Sequence, residues 1–236
     1  MTDIAITHRF AHGLSWAPAG PSILECRAHA LVDADGHVWL VDPFDGPGLA
    51  AELDALGSVA GVIVLLDRHL RDASVLARRY DVPLLVPPGE LRRGHPRPEG
   101  ARTEVAHGAA CPFQLLPIVR RDGSWLEQVL WWPEERVLIV AEALGTAPAY
   151  LARPDAELGV HPLLRTGGVP PRLAELDVEP DLLLLGHGEP LDHSVRSSMT
   201  TATEAARKDL PRLLLRTPKL VTSWLRGARG GTRMSC

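Results

Sequence analysis

The chain has 236 residues, a formal net charge of −4, 45% hydrophobic and 23% charged residues. These are the proportions of an ordinary globular protein large enough to bury its own core. The acidic balance gives no reason to expect a nucleic-acid partner. The three cysteines, Cys26, Cys111 and Cys236, are scattered without a Cys-x-x-Cys, so neither a disulfide framework nor a structural zinc ribbon is expected.

Met1-Thr2-Asp3-Ile4-Ala5-Ile6 lacks a basic region followed by an apolar run, so no secretory signal is expected. No apolar stretch reaches the ~20 residues of a membrane span. Together these features predict a cytoplasmic protein.

Residues 22–31 and 37–41 read as strands of a hairpin turned by Asp33-Ala34-Asp35-Gly36, because Asp-Gly favours tight hairpin turns. The second strand ends at Asp42-Pro43, since proline has no amide hydrogen for a ladder. A short helix over 48–56 follows Pro47 and closes at Gly57. The β-branched apolar run 59–66 predicts a central strand, and Leu70, Ala73, Leu76, Ala77 and Tyr80 recur at helical spacing. Residues 82–86, between prolines, form another strand; strand alternating with helix predicts an α/β layered fold.

Residues 87–110, rich in Pro, Gly and Arg, predict a surface loop. Strands follow at 113–119, 127–132 and 136–141, the last two turned by Pro133-Glu134-Glu135. Alternation predicts that Trp131 and Trp132 divide between core and surface. After an irregular region over 145–171 with a short helix near Pro154, a helix at 172–176 leads into four leucines, Leu182 to Leu185. That buried strand empties into Gly186-His187-Gly188-Glu189-Pro190, a tight loop with one imidazole at the strand end. A helix over 194–210, capped by Ser194, closes a single domain of residues 1–210. Residues 211–236 form a basic tail, helical and then frayed. No acid follows Asp209, while Arg212, Arg216, Lys219, Arg226, Arg229 and Arg233 are basic and offer contact to an acidic surface.

Four segments, in order, resemble the metallo-β-lactamase superfamily over roughly residues 22–192. They are Leu40-Val41-Asp42-Pro43; Leu66-Asp67-Arg68-His69-Leu70-Arg71-Asp72; Val140-Ala141-Glu142-Ala143-Leu144; and the Gly186-His187-Gly188 loop. The resemblance implies an αββα sandwich of two mixed sheets between helices. It also implies a site for one or two zinc or iron ions at which a bound water attacks an ester, amide or phosphodiester. On the family's His-x-His-x-Asp-His pattern, Asp67 stands for the first histidine, His69 keeps the second, Arg71 replaces the aspartate and Asp72 the last histidine. Glu142 replaces the bridging aspartate, and His187 is kept. The middle histidine has no equivalent; Asp122, Ser124 and Glu127 are the nearest polar residues.

Arginine has no lone pair to donate and stays charged, so Arg71 is incompatible with the usual second ion. Two readings follow. In the first, the chain has an eroded dinuclear motif and is a pseudo-enzyme with a binding or structural role, its partner an unidentified small molecule or protein. Arg68 and Arg71 then fill the former metal space by pairing with Asp67, Asp72 or Glu142. In the second, it is a mononuclear hydrolase holding one Zn, Fe or Mn ion through His69, His187, Asp67, Asp72 or Glu142. Asp67 or Glu142 then acts as base, with Asp42 supporting from behind. A guanidinium in salt-bridge reach of those carboxylates favours the first reading. His107, His161 and His193 have no spacing partner and read as surface or packing residues.

Overall fold

The computed structural model describes residues 3–20, 22–88, 98, 100, 102–103, 111–119, 125–167, 169 and 171–227. Most of the 87–110 loop, Asp122, Ser124 and the end of the basic tail lie outside the described residues. The chain divides into two compact units. The first holds Met1–Ala19, Arg27–Pro117 and Leu126–Leu130; the second holds Gly20–Cys26, Ile118–Trp125 and Trp131–Cys236.

The first unit is built on a seven-stranded mixed sheet in the order of the chain: β1 (Ile4–Phe10), β2 (Gly13–Pro18), β3 (Ala28–Val32), β4 (His37–Val41), β5 (Ser58–Ile63), β6 (Leu84–Val86) and β7 (Arg102–Thr103). β1 to β4 form an antiparallel meander, and β4 to β7 run parallel. Parallel neighbours need crossovers. Helix α1 (Leu49–Leu56) supplies the first and α2 (Ala73–Tyr80) the second. Both turn buried leucines inward, Leu49 and Leu53 from α1 and Leu76 from α2.

The predicted hairpin is present. Asp33 Oδ1 accepts the amides of Asp35 and His37, and Oδ2 accepts the Trp39 indole at 2.9 Å. β1 and β2 were not foreseen. Charged and polar residues (His8, Arg9, His12) interrupt their alternation, and β1 is an edge strand with no fully buried residue.

Two strands pass from one unit to the other, β8 (Gln114–Val119) and β9 (Leu126–Trp132). Trp131 and Trp132 are both buried, 8% and 5% exposed, so they do not divide as alternation predicts. In the second unit β10 (Val137–Val140) pairs in parallel with the leucine strand β13 (Leu182–Leu185). The 145–171 region contains a small antiparallel pair, β11 (Leu144–Gly145) with β12 (Gly159–Val160), then α3 (Pro162–Gly167) and α4 (Pro171–Ala174). No helix forms near Pro154.

The closing helix α5 (Val195–Gly227) joins the helix expected over 194–210 to the helical start of the tail, running through Pro211 and Pro218. It packs on α3, β12 and α4. No helix among the described residues is long and apolar enough to cross a membrane.

Candidate functional site

In the first unit the site residues gather at the carboxyl ends of β4 and β5. The register pairs Val41 with Ile63, so the segments that follow each strand emerge at the same edge. Asp42, the first residue past β4, takes a left-handed conformation at φ 47°. Its amide donates to the Ile63 carbonyl at 2.9 Å. Its two carboxylate oxygens are divided: Oδ1 accepts the Leu65 amide at 2.8 Å, and Oδ2 lies 2.8 Å from His69 Nδ1. Both side chains are buried. A carboxylate can only accept here, so the neutral imidazole carries its proton on Nδ1 and its lone pair on Nε2.

Arg71 stands at φ 37°. Its Nη1 donates to the Arg27 and Asp42 carbonyls, each at 2.7 Å, and its guanidinium carbon lies 4.1 Å from the Phe44 ring centroid. The cation therefore braces the backbone around Asp42. Arg68 meets the sequence-based criterion for the metal-free reading at one carboxylate, since its Nη1 is 3.7 Å from Asp67 Oδ1. That pair is longer than a hydrogen bond, and Asp67 Oδ1 is buried with no hydrogen-bond donor. Such an oxygen in a native interior calls for an explanation.

Asp72 serves the loop instead. Its Oδ2 accepts the Asp45 amide at 2.9 Å, and Asp45 in turn grips the Arg79 guanidinium with both oxygens. Arg79 holds the Asp45 carboxyl below its ordinary range, against the opposing effect of burial. Glu127 is fully buried on β9, where its residue bridges to Leu66.

In the second unit the register again does the positioning. Val140 pairs with Leu185, and Glu142 and His187 each lie two residues beyond. A carboxylate oxygen of Glu142 and a ring nitrogen of His187 come within 4.8 Å of one another. His187 Nδ1 lies 2.9 Å from the Leu24 carbonyl, which can only accept, so its lone pair too sits on Nε2.

The flanking glycines are demanded by the close packing of this loop. A Cβ on Gly186 would fall 2.1 Å from the Ala141 carbonyl oxygen. One on Gly188, at φ +97°, would fall 2.2 Å from Thr146 Oγ1 and 2.3 Å from the Ala147 nitrogen.

Two residues of this unit escaped the sequence reading. Tyr150 is buried and stacks on His187 at 5.5 Å between centroids, and its hydroxyl donates to the Glu142 carbonyl at 3.1 Å. Gly145 and Gly159 make its space, since a Cβ would fall 2.8 Å from its ring or 2.2 Å from its carbonyl oxygen. Arg165, buried, donates to the Tyr150 and Val160 carbonyls, and burial pushes its guanidinium's pKa down. His161, expected at the surface or in packing, has its Nε2 3.5 Å from Glu142 Oε1. Nothing in the spacing pointed to His161.

No family model matches the chain, and no curated protein matches its sequence. Solved structures do match it in fold. The FIM-1 metallo-β-lactamase of Pseudomonas aeruginosa in its mono-zinc form superposes with a TM-score of 0.57 at 11% identity, over 87% of this chain and 96% of that one. A metallo-β-lactamase of Erythrobacter litoralis, with β-mercaptoethanol in its active site, gives 0.55 at 13% identity over 86% and 96%. The DIM-1 metallo-β-lactamase exposed to ceftazidime gives 0.53 at 13% identity over 86% and 98%. The chain therefore has the metallo-β-lactamase fold, with mixed sheets flanked by helices.

Proposed function

We propose that this protein holds a single divalent transition-metal ion and hydrolyses an ester, amide or phosphodiester with it, the motif residues His69, Glu142 and His187 being the ligands that the sequence assigns. The observation that carries this reading is the matched state of the two histidines. Each has Nδ1 committed to an acceptor, the Asp42 carboxylate or the Leu24 carbonyl. That is how metal-ligating histidines are commonly fixed in orientation and tautomer. Two imidazoles and a carboxylate suit zinc, iron or manganese and leave coordination positions open. When bound, such an ion supplies Lewis-acid polarisation and a water acidified toward neutral pH.

The residues of the chain supply the rest. Asp67, two positions from His69, has a buried oxygen without a donor beside the Arg68 cation. We assign this carboxylate as the base that takes the proton of the attacking water. Arg71 occupies the sequence position of a second-ion ligand and is engaged with backbone carbonyls, so the site is mononuclear. Within the shared fold, the mono-zinc form of FIM-1 is a one-ion example.

The Arg68–Asp67 contact also supports a second reading, a non-catalytic descendant with a binding or structural role. The test is hydrolysis of generic esters and phosphodiesters by the zinc-, iron- or manganese-loaded chain beside its Asp67→Asn variant. Metal-dependent turnover that falls 10²-fold or more, on the order expected for loss of a general base, supports the hydrolase. A loaded chain without turnover on any of these substrates supports the second reading.

A further inference from the structure

His161 is held in one tautomer by the turn that opens α3. The Leu163 amide donates to its Nδ1 at 3.2 Å. A ring nitrogen that accepts an N–H carries a lone pair, so the proton of the neutral ring sits on Nε2. That Nε2–H faces Glu142 Oε1 at 3.5 Å.

The backbone makes this meeting obligatory. β11 and β12 pair Leu144 with Val160, and the ladder continues through the His161 amide, which donates to the Ala143 carbonyl at 3.0 Å. His161 is thus opposite the neighbour of Glu142. Its ring is walled by Trp125, 5.1 Å away, and by the edge of Tyr150, at 5.6 Å. The Tyr150 hydroxyl holds the Glu142 carbonyl from the same segment.

We propose that His161 is a positioning residue for Glu142: its Nε2–H binds one carboxylate oxygen and leaves the other for the ion shared with His187. This rests on the metal-binding reading above. It adds to that reading a second-layer donor for the carboxylate, as Asp42 and Leu24 are acceptors for the two imidazoles. Outer partners of this kind change metal affinity by about 10–100-fold when removed.

The test titrates cobalt(II) into the chelator-stripped full chain, reading the visible ligand-field spectrum and, by zinc competition, the affinity. His161→Asn keeps an acceptor near the Leu163 amide but is too short to reach Glu142, whereas His161→Gln places an N–H donor near the Nε2 position. The expected result is about 10–100-fold weaker binding and an altered cobalt spectrum for His161→Asn, with affinity and spectrum largely restored in His161→Gln. Should His161→Asn lose the wild-type near-UV circular dichroism, His161→Phe replaces it, keeping a ring against Trp125 and Tyr150 without the donor. Wild-type affinity and spectrum in the folded donor-less variant overturn the role of His161 while leaving the metal reading standing. A wild-type chain that binds neither cobalt nor zinc overturns both.

Discussion

Arg71 braces the backbone at the end of β4: its guanidinium donates to the Arg27 and Asp42 carbonyls and lies over Phe44. Removing it takes away two charge-assisted bonds in a half-buried setting, each worth about 1.5–3 kcal/mol when well made. Arg71→Ala is expected to lower unfolding stability by about 2–4 kcal/mol, measured as a shift of the urea midpoint at unchanged slope. Stability equal to wild type would show that the guanidinium braces nothing. At this scale the sequence was partly legible. His69, Glu142 and His187 stand out because short motifs carry them. His161 and Tyr150 were illegible because their relation to the site is made by β-ladder register and by cleared glycine positions, neither of which is a local pattern.

At the scale of elements, the loop after β4 is tied to α2 by Asp45 and Arg79, with Asp72 holding the Asp45 amide. The Asp45 carboxyl is depressed below 3.8 in the folded state, chiefly by the Arg79 hydrogen bond. A depressed acid stabilises the fold above its unfolded pKa, and that contribution is lost as pH falls through the folded value. Arg79 is 38% exposed, which screens the pair and makes it a contribution of about 1 kcal/mol or less. Asp45→Asn is therefore expected to melt a few degrees below wild type at pH 7, with the gap narrowing as pH falls below 4. A gap unchanged down to pH 2 would contradict the assignment.

The leucine strand and its loop behave as one element. Gly188→Ala forces a Cβ into the Thr146 hydroxyl and the Ala147 nitrogen at a positive φ, where strain and overlap together cost on the order of 2–4 kcal/mol. Thermal denaturation measures it; a variant as stable as wild type would show that the loop yields freely. This strand was legible from its sequence because four leucines before a glycine admit few alternatives. β1 was not, because an edge strand needs no continuous apolar face.

Over the whole molecule, the order of strands and helices through the first unit follows from apolar runs punctuated by Gly and Pro. The parallel crossovers by α1 and α2 agree with it. The sequence reading set a helix ending at residue 210 apart from a tail that begins helical, and the structure joins the two in one helix, α5, that runs through Pro211 to Gly227. The likeness to metallo-β-lactamases at 10–14% identity shows one fold formed by chains that share little sequence, and a fold alone does not fix a function. The central proposal is that this chain holds one ion through the motif residues His69, Glu142 and His187. It is tested most directly by metal analysis of protein purified without chelator or affinity metal, beside the His69→Ala and His187→Ala variants. The account predicts about one equivalent of zinc, iron or manganese in the wild type, lost in both variants. Less than about a tenth of an equivalent in the wild type, or metal retained by both variants, would contradict it.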